Sequence, residues 1–145
     1  MKKNIFYFFG IILLIGCQEK QQPTTTPAQK TSAFTMYEMS EMAVLMEQMY
    51  VDNQRIKQQI ENNEWDFGNF PEHYLKIYHA TLTDPSDLDD FFTREAHRFV
   101  EVQKLVYTDV TNIKDNFNNM VTACIECHQV KCTGPIERIK KLYIK

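Results

Sequence analysis

Glycine and proline are scarce: four and five in 145 residues. A sandwich or a barrel needs many more tight-turn residues, and no segment alternates at period two, so the composition excludes an all-β fold and points to helices. Positive charge is not in excess, with 16 Lys+Arg against 19 Asp+Glu and a net charge of −3. That leaves no electrostatic footprint for nucleic acid. The one strongly apolar run, residues 5–15, falls short of the ~20 residues that a bilayer-crossing helix needs. Internal repeats, a glycine-rich phosphate loop, a Ser/His/Asp arrangement and a second metal motif are all lacking, so no enzyme is expected. What is present is an ordinary globular composition, 43% apolar, 24% charged and 12% aromatic, at a length that suits one domain.

Residues 1–16 read as an export signal. Met1-Lys2-Lys3 is a short basic start, and an almost uncharged apolar stretch follows it. The string Leu14-Ile15-Gly16-Cys17 then resembles the lipobox of bacterial lipoproteins: aliphatic, small, cysteine. That resemblance implies cleavage before Cys17, acylation of its thiol and anchoring on the periplasmic side of a bacterial membrane, inner or outer. Losing Lys2 and Lys3 and no acid shifts the net charge from −3 to −5. Residues 17–33 are dominated by Gln, Thr, Pro and Lys, cannot bury enough surface to offset their ordering entropy, and read as a flexible tether. The folded domain is expected over residues 34–145.

Within that domain apolar residues recur at steps of three and four. Met39, Met42, Met46, Met49, Ile56 and Ile60 mark the seam of a long first helix ending near residue 62, with Asn53 its one polar member. Pro71 opens a shorter second helix with Tyr74, Leu75, Tyr78 and Leu82 on one side. Asp84-Pro85-Ser86 starts a third, in capping-box-like spacing with Asp89, whose buried side comprises Leu88, Phe92, Phe99, Val102 and Val106. A fourth runs from about residue 109 to 130 through Ile113, Phe117 and Met120, and Gly134-Pro135 stops it. Short connections favour antiparallel neighbours, so the expected fold is an all-α, antiparallel four-helix bundle.

The last of these helices carries Cys124-Ile125-Glu126-Cys127-His128. Two thiols at i and i+3 followed at once by an imidazole is the spacing of covalent c-type haem attachment. One helical turn sets both sulfurs on the same side, where they can form thioethers with the two vinyl groups of one porphyrin edge. His128 projects from that side too and can place a neutral ring nitrogen on the iron. The steps Ile113, Phe117, Met120, Cys124, Cys127 put the attachment face in phase with the core. Zinc or thiol redox chemistry from Cys124, Cys127, His128 and Cys132 is the competing reading, although structural zinc sites usually draw on two separated pairs and the βαβ context of a thioredoxin-like motif is missing.

A four-helix domain with a single CxxCH near the end of its last helix resembles the class II cytochromes c, the cytochrome c′ family. The likeness spans about residues 35–132 and is specific around 117–128. It implies one covalent haem c, with His128 as proximal ligand. It also implies that the iron's other face is either open, suiting a gas such as NO or CO, or closed by a methionine of the first helix. Met46 matches that methionine best, with Met42 and Met49 one turn away on the same stripe. A methionine stripe is also ordinary adaptable core. His73, His79 and His97 are further possible axial donors that read better as surface histidines.

Cys132 is the thiol left over. Arg138, Lys140, Lys141 and Lys145 form a basic end beyond the likeness, either a solvated tail or, for one of them, a partner for a haem propionate. The leading expectation is a membrane-tethered monohaem cytochrome carrying single electrons between redox partner proteins, with homodimerisation open. The alternatives are a five-coordinate gas-binding protein and a cofactor-free zinc or thiol lipoprotein.

Overall fold

The first helix, α1 (Glu41–Glu61), begins where Ser40 turns extended backbone into helix and its Oγ accepts the Ala43 N–H at 3.1 Å. Its far end is closed by Asn63 at φ 59°, with the Asn63 N–H donating to Ile60 O (3.1 Å) and the Glu64 N–H to Gln59 O (2.8 Å). This is a Schellman closure in which asparagine takes the left-handed place usual for glycine. The computed structural model describes residues 38–145, so the signal, Cys17 and tether readings lie outside the described residues. Among those residues every regular element is helical, and no helix is long and apolar enough to cross a membrane.

Two further long helices, α2 (Asp90–Thr108) and α3 (Ile113–Lys131), form an antiparallel hairpin across the short link 109–112. The Asp109 carboxylate gathers that link, accepting from the Thr111 N–H at 3.2 Å and from the Asn112 and Asn116 side chains at 3.1 Å. At the open end of the hairpin Lys131 reaches Asp89 at 2.7 Å, and Arg98 pairs with Glu126. The start of α2 differs from expectation. Asp89, not Ser86, is its N-cap, accepting the Phe92 N–H at 2.8 Å, and Asp84 caps a separate 3₁₀ turn, Pro85–Asp87. Leu88 is therefore outside the helix and 60% exposed rather than core.

The expected second helix is instead a 3₁₀ helix, Glu72–Tyr78, packed against α1 and α2. A 3₁₀ turn superimposes residues i and i+3, and that geometry sends Tyr74 and Ile77 inward together. The basic end is no solvated tail. Residues 136–145, containing the short helix α4 (Ile136–Ile139) and a 3₁₀ turn Lys140–Leu142, form a strap against α1 and α3. Ile139, Leu142 and Ile144 are buried. Lys57 Nζ donates to Lys141 O (2.8 Å) and Tyr143 O (3.0 Å), and Asn118 brackets Ile144, donating to its carbonyl (3.0 Å) and accepting from its N–H (2.9 Å).

The core between these walls contains Met42, Leu45, Met49, Ile56, Phe99, Val106, Phe117, Met120 and Val121. Its polar exception is a reciprocal amide pair: Asn53 Nδ2 donates to Gln103 Oε1 (3.3 Å) and Gln103 Nε2 to Asn53 Oδ1 (3.2 Å). Both side chains are buried, and their mutual satisfaction ties α1 to α2 in one register.

Candidate functional site

One apolar cavity of ≈ 100 Å³ opens between α1, α2, α3 and the strap. From α3 its lining includes Cys124, Cys127 and His128; from α1, Met46 and Met49; from the strap, Arg138, Ile139 and Leu142. The CxxCH residues thus share one wall because they occupy one turn of a regular helix. Met46 is half-buried and Met49 buried, and both face the cavity, whereas Met42 is buried elsewhere in the core and does not line it. Of the three methionines singled out in the sequence, two remain placed to meet a group held by α3.

His128 is oriented by the end of its own helix. Its Nδ1 lies 2.9 Å from the carbonyl oxygen of Cys132, the C-cap of α3. A carbonyl only accepts, so Nδ1 carries a proton, and in the neutral ring the lone pair is on Nε2. That is the tautomer a metal-ligating histidine needs, with the second nitrogen fixed by an acceptor. The thiols are equally defined. Desolvation in apolar surroundings pushes Cys124 up to about 12, and Cys127, desolvated and near the Glu95 carboxylate, up to about 11. Both are therefore protonated at neutral pH and poor nucleophiles until water or a base reaches them. Cys124 Sγ contacts Met120 Sδ at 3.8 Å. The motif is clamped to α2 by two ion pairs, Arg98 with Glu126 between the cysteines and Lys131 with Asp89 just beyond them.

Other candidates do not converge here. Cys132 is exposed and off the cavity lining; Cys124, Cys127 and Cys132 are unbridged thiols. Among the described residues no three His, Cys, Asp or Glu side chains come together as a metal-holding group, so the zinc set of the competing reading is not assembled. His97 stacks on Tyr78 with ring centroids 4.5 Å apart, His73 approaches Asp52 at 3.9 Å, and His79 lines a separate cleft with His73 and Gln48. None of the three lines the cavity of the CxxCH motif.

Sequence reasoning singled out Arg138 within the basic end but missed Glu95, Tyr50 and the strap's apolar lining residues Ile139 and Leu142. Glu95 lines the cavity between Arg94 (3.3 Å) and Arg98 (3.2 Å). Arg138 lies over the Tyr50 ring, 3.8 Å from its centroid, and holds the Glu47 carboxyl below its usual range. The available signal was the apolar spacing Ile136, Ile139, Leu142 within the basic end.

Tested against a haem, the donor set fits: two thiols and a correctly tautomerised imidazole on one turn, apolar walls, and a methionine pair from α1 facing them. The present volume is below the ~300 Å³ at which cofactor pockets usually begin. Entry of a tetrapyrrole requires side chains or the strap to give way. No protein-family model matches the chain, and neither a curated protein nor a solved structure does.

Proposed function

We propose that this protein is a class II-like monohaem c-type cytochrome, tethered through Cys17 to the periplasmic side of a bacterial membrane, which passes single electrons between partner proteins rather than catalysing a reaction. In this reading the domain is a shortened antiparallel four-helix bundle in which the 3₁₀ helix stands for the second helix. The single observation that carries the proposal is the shared cavity of Cys124, Cys127, His128, Met46 and Met49. Cys124 and Cys127 would hold the group by thioethers, each adding S–H across a vinyl C=C, sulfur to one carbon and hydrogen to the other, so attachment would consume no oxidant. His128 would hold the iron through Nε2, its other nitrogen being held by Cys132 O. Met46, half-buried on the facing helix, is the preferred sixth ligand and Met49 the second choice. The bound group would supply a one-electron couple at its iron, and Met/His ligation would raise its potential and shut out gases.

The gas-binding alternative shares every residue except the sixth ligand. Expression with the haem-attachment machinery, followed by intact mass, tests both readings: a mass increase of one haem is expected, and its absence ends them. The reduced spectrum then separates them. Low-spin iron unaltered by CO supports the carrier, and Met46→Leu should turn it high-spin and CO-reactive. High-spin iron in the unmutated protein would instead establish the gas-binding form.

A further inference from the structure

The rim of the cavity holds a polar device that the electron-carrier reading leaves idle. Arg138 reaches from α4 across to α1, where its Nη1 lies 2.5 Å from Glu47 Oε1 and its guanidinium lies over Tyr50. Both members of the ion pair line the cavity, and both stay open to water, at 43% and 49% side-chain exposure. Beneath them the lining turns apolar, with Ile77, Phe92, Phe99 and Leu142. The other carboxylate on the lining, Glu95, is already taken by Arg94 and Arg98.

A guanidinium offers five N–H donors in one plane, and Glu47 engages only Nη1. Contact with the Tyr50 ring, 3.8 Å from its centroid, holds the guanidinium at the cavity. An ion pair this open to solvent is weak, so a carboxylate held in place by its own ligand can displace Glu47 at little cost.

We propose that Arg138 is the anchor for a carboxylate on the edge of the group the cavity takes, and that Glu47 is its exchangeable stand-in. The ligand class is a planar apolar body with an acidic rim. This rests on the tetrapyrrole reading, whose propionates are such carboxylates, but the device sits in the C-terminal strap and not in the CxxCH helix. Docking exchanges one ion pair for another and moves no electron or covalent bond. It follows that the two partners of a single ion pair act on binding with opposite signs: Arg138 favours it and Glu47 competes with it.

The test titrates the full chain, produced without haem attachment, with iron protoporphyrin and with its dimethyl ester, which lacks the carboxylates, following Soret absorbance. The unmutated protein should prefer the diacid about tenfold, the scale of one good Arg–carboxylate contact. Arg138→Leu should erase that preference and Arg138→Lys should keep part of it. Glu47→Gln should tighten the diacid several-fold and leave the ester unchanged. Equal binding of diacid and ester by the unmutated protein overturns the anchor alone. Weakening by Glu47→Gln as large as that by Arg138→Leu also overturns it, because a merely structural salt bridge behaves that way. Failure of both porphyrins to bind overturns the tetrapyrrole reading and the anchor with it.

Discussion

Two short walls close the space between α1 and the α2–α3 hairpin, and they are held by different forces. The 3₁₀ helix Glu72–Tyr78 is held by apolar mass: Tyr74 is fully buried, Ile77 nearly so, and Phe70 sets its ring edge-on against both Tyr74 and Tyr107. Its polar tie is the Tyr74 hydroxyl donating to Asp52 at 3.1 Å. The strap buries three aliphatic side chains but owes its register to side chains that grip its backbone, Lys57 and Asn118. A wall held by interdigitated aromatics opens with the core. One held by a few hydrogen bonds at its edge can open alone, with local stability below the global value. Of the two walls only the strap borders the CxxCH cavity with several residues, so the wall held by edge hydrogen bonds is the one beside the motif.

The largest expected effect comes from breaking the aromatic wall. Tyr74→Ala removes a fully buried ring and should lower global stability by about 3–5 kcal/mol, read as a lower denaturant midpoint. Tyr74→Phe, which keeps the ring and leaves Asp52 without that donor, should cost about 1 kcal/mol.

Breaking the strap should be smaller and local. Asn118→Ala deletes both hydrogen bonds to Ile144, at about 1–3 kcal/mol. Hydrogen exchange should quicken in residues 136–145 while α2 and α3 keep their protection, and uniform loss of protection across all three would contradict independent opening. Lys57→Met should act likewise, at about 1–2 kcal/mol, since its ammonium is partly solvated. If the strap is the wall that gives way, both variants should speed uptake of haem, and Tyr74→Phe should not.

The smallest effects are read at the thiols of protein made without haem. An alkylating reagent at mildly alkaline pH should modify the exposed Cys132 first, then Cys127, then Cys124, and Asn118→Ala should accelerate Cys124 selectively. Because folding raises both cavity thiols from their usual ~8.5, to about 11 for Cys127 and about 12 for Cys124, the native state holds protons that the unfolded chain releases. Their stabilising contribution is complete below the ordinary thiol value and disappears as pH rises through the folded ones. Stability should therefore fall in the alkaline range, and Cys124→Ala should flatten the fall. A curve unchanged by that substitution would count against a desolvated Cys124.

Much of this was legible locally. Of the stripe, Met42, Met49, Asn53, Ile56 and Ile60 lie on the buried face of α1, because helical periodicity is a property of neighbouring residues, whereas Met46 is half-buried and Met39 precedes the helix and is exposed. The phase from Ile113 through Met120 to the cysteines survives in α3 for the same reason. Tyr74, Leu75, Tyr78 and Leu82 misled, since their spacing suits an α-helix and residues 71–82 are too few to bury all four. Packing favoured the 3₁₀ geometry that directs Tyr74 and Ile77 to one side. Gln103 and Asn53 were a polar pair visible only across 50 residues of chain.

The haem-type motif, its helical phase, the methionine-rich partner helix and the all-helical composition were contained in the order of residues, since each depends on spacing within a turn or two. Which methionines face the motif, which nitrogen of His128 is left with its lone pair, and that a basic terminus closes the cavity were decided by the tertiary structure. The reason is reach. Met46 and Cys124 line one cavity from different helices, and Lys57 meets the strap from 84 residues away. Contacts of that length depend on how whole elements pack, and no local pattern encodes them.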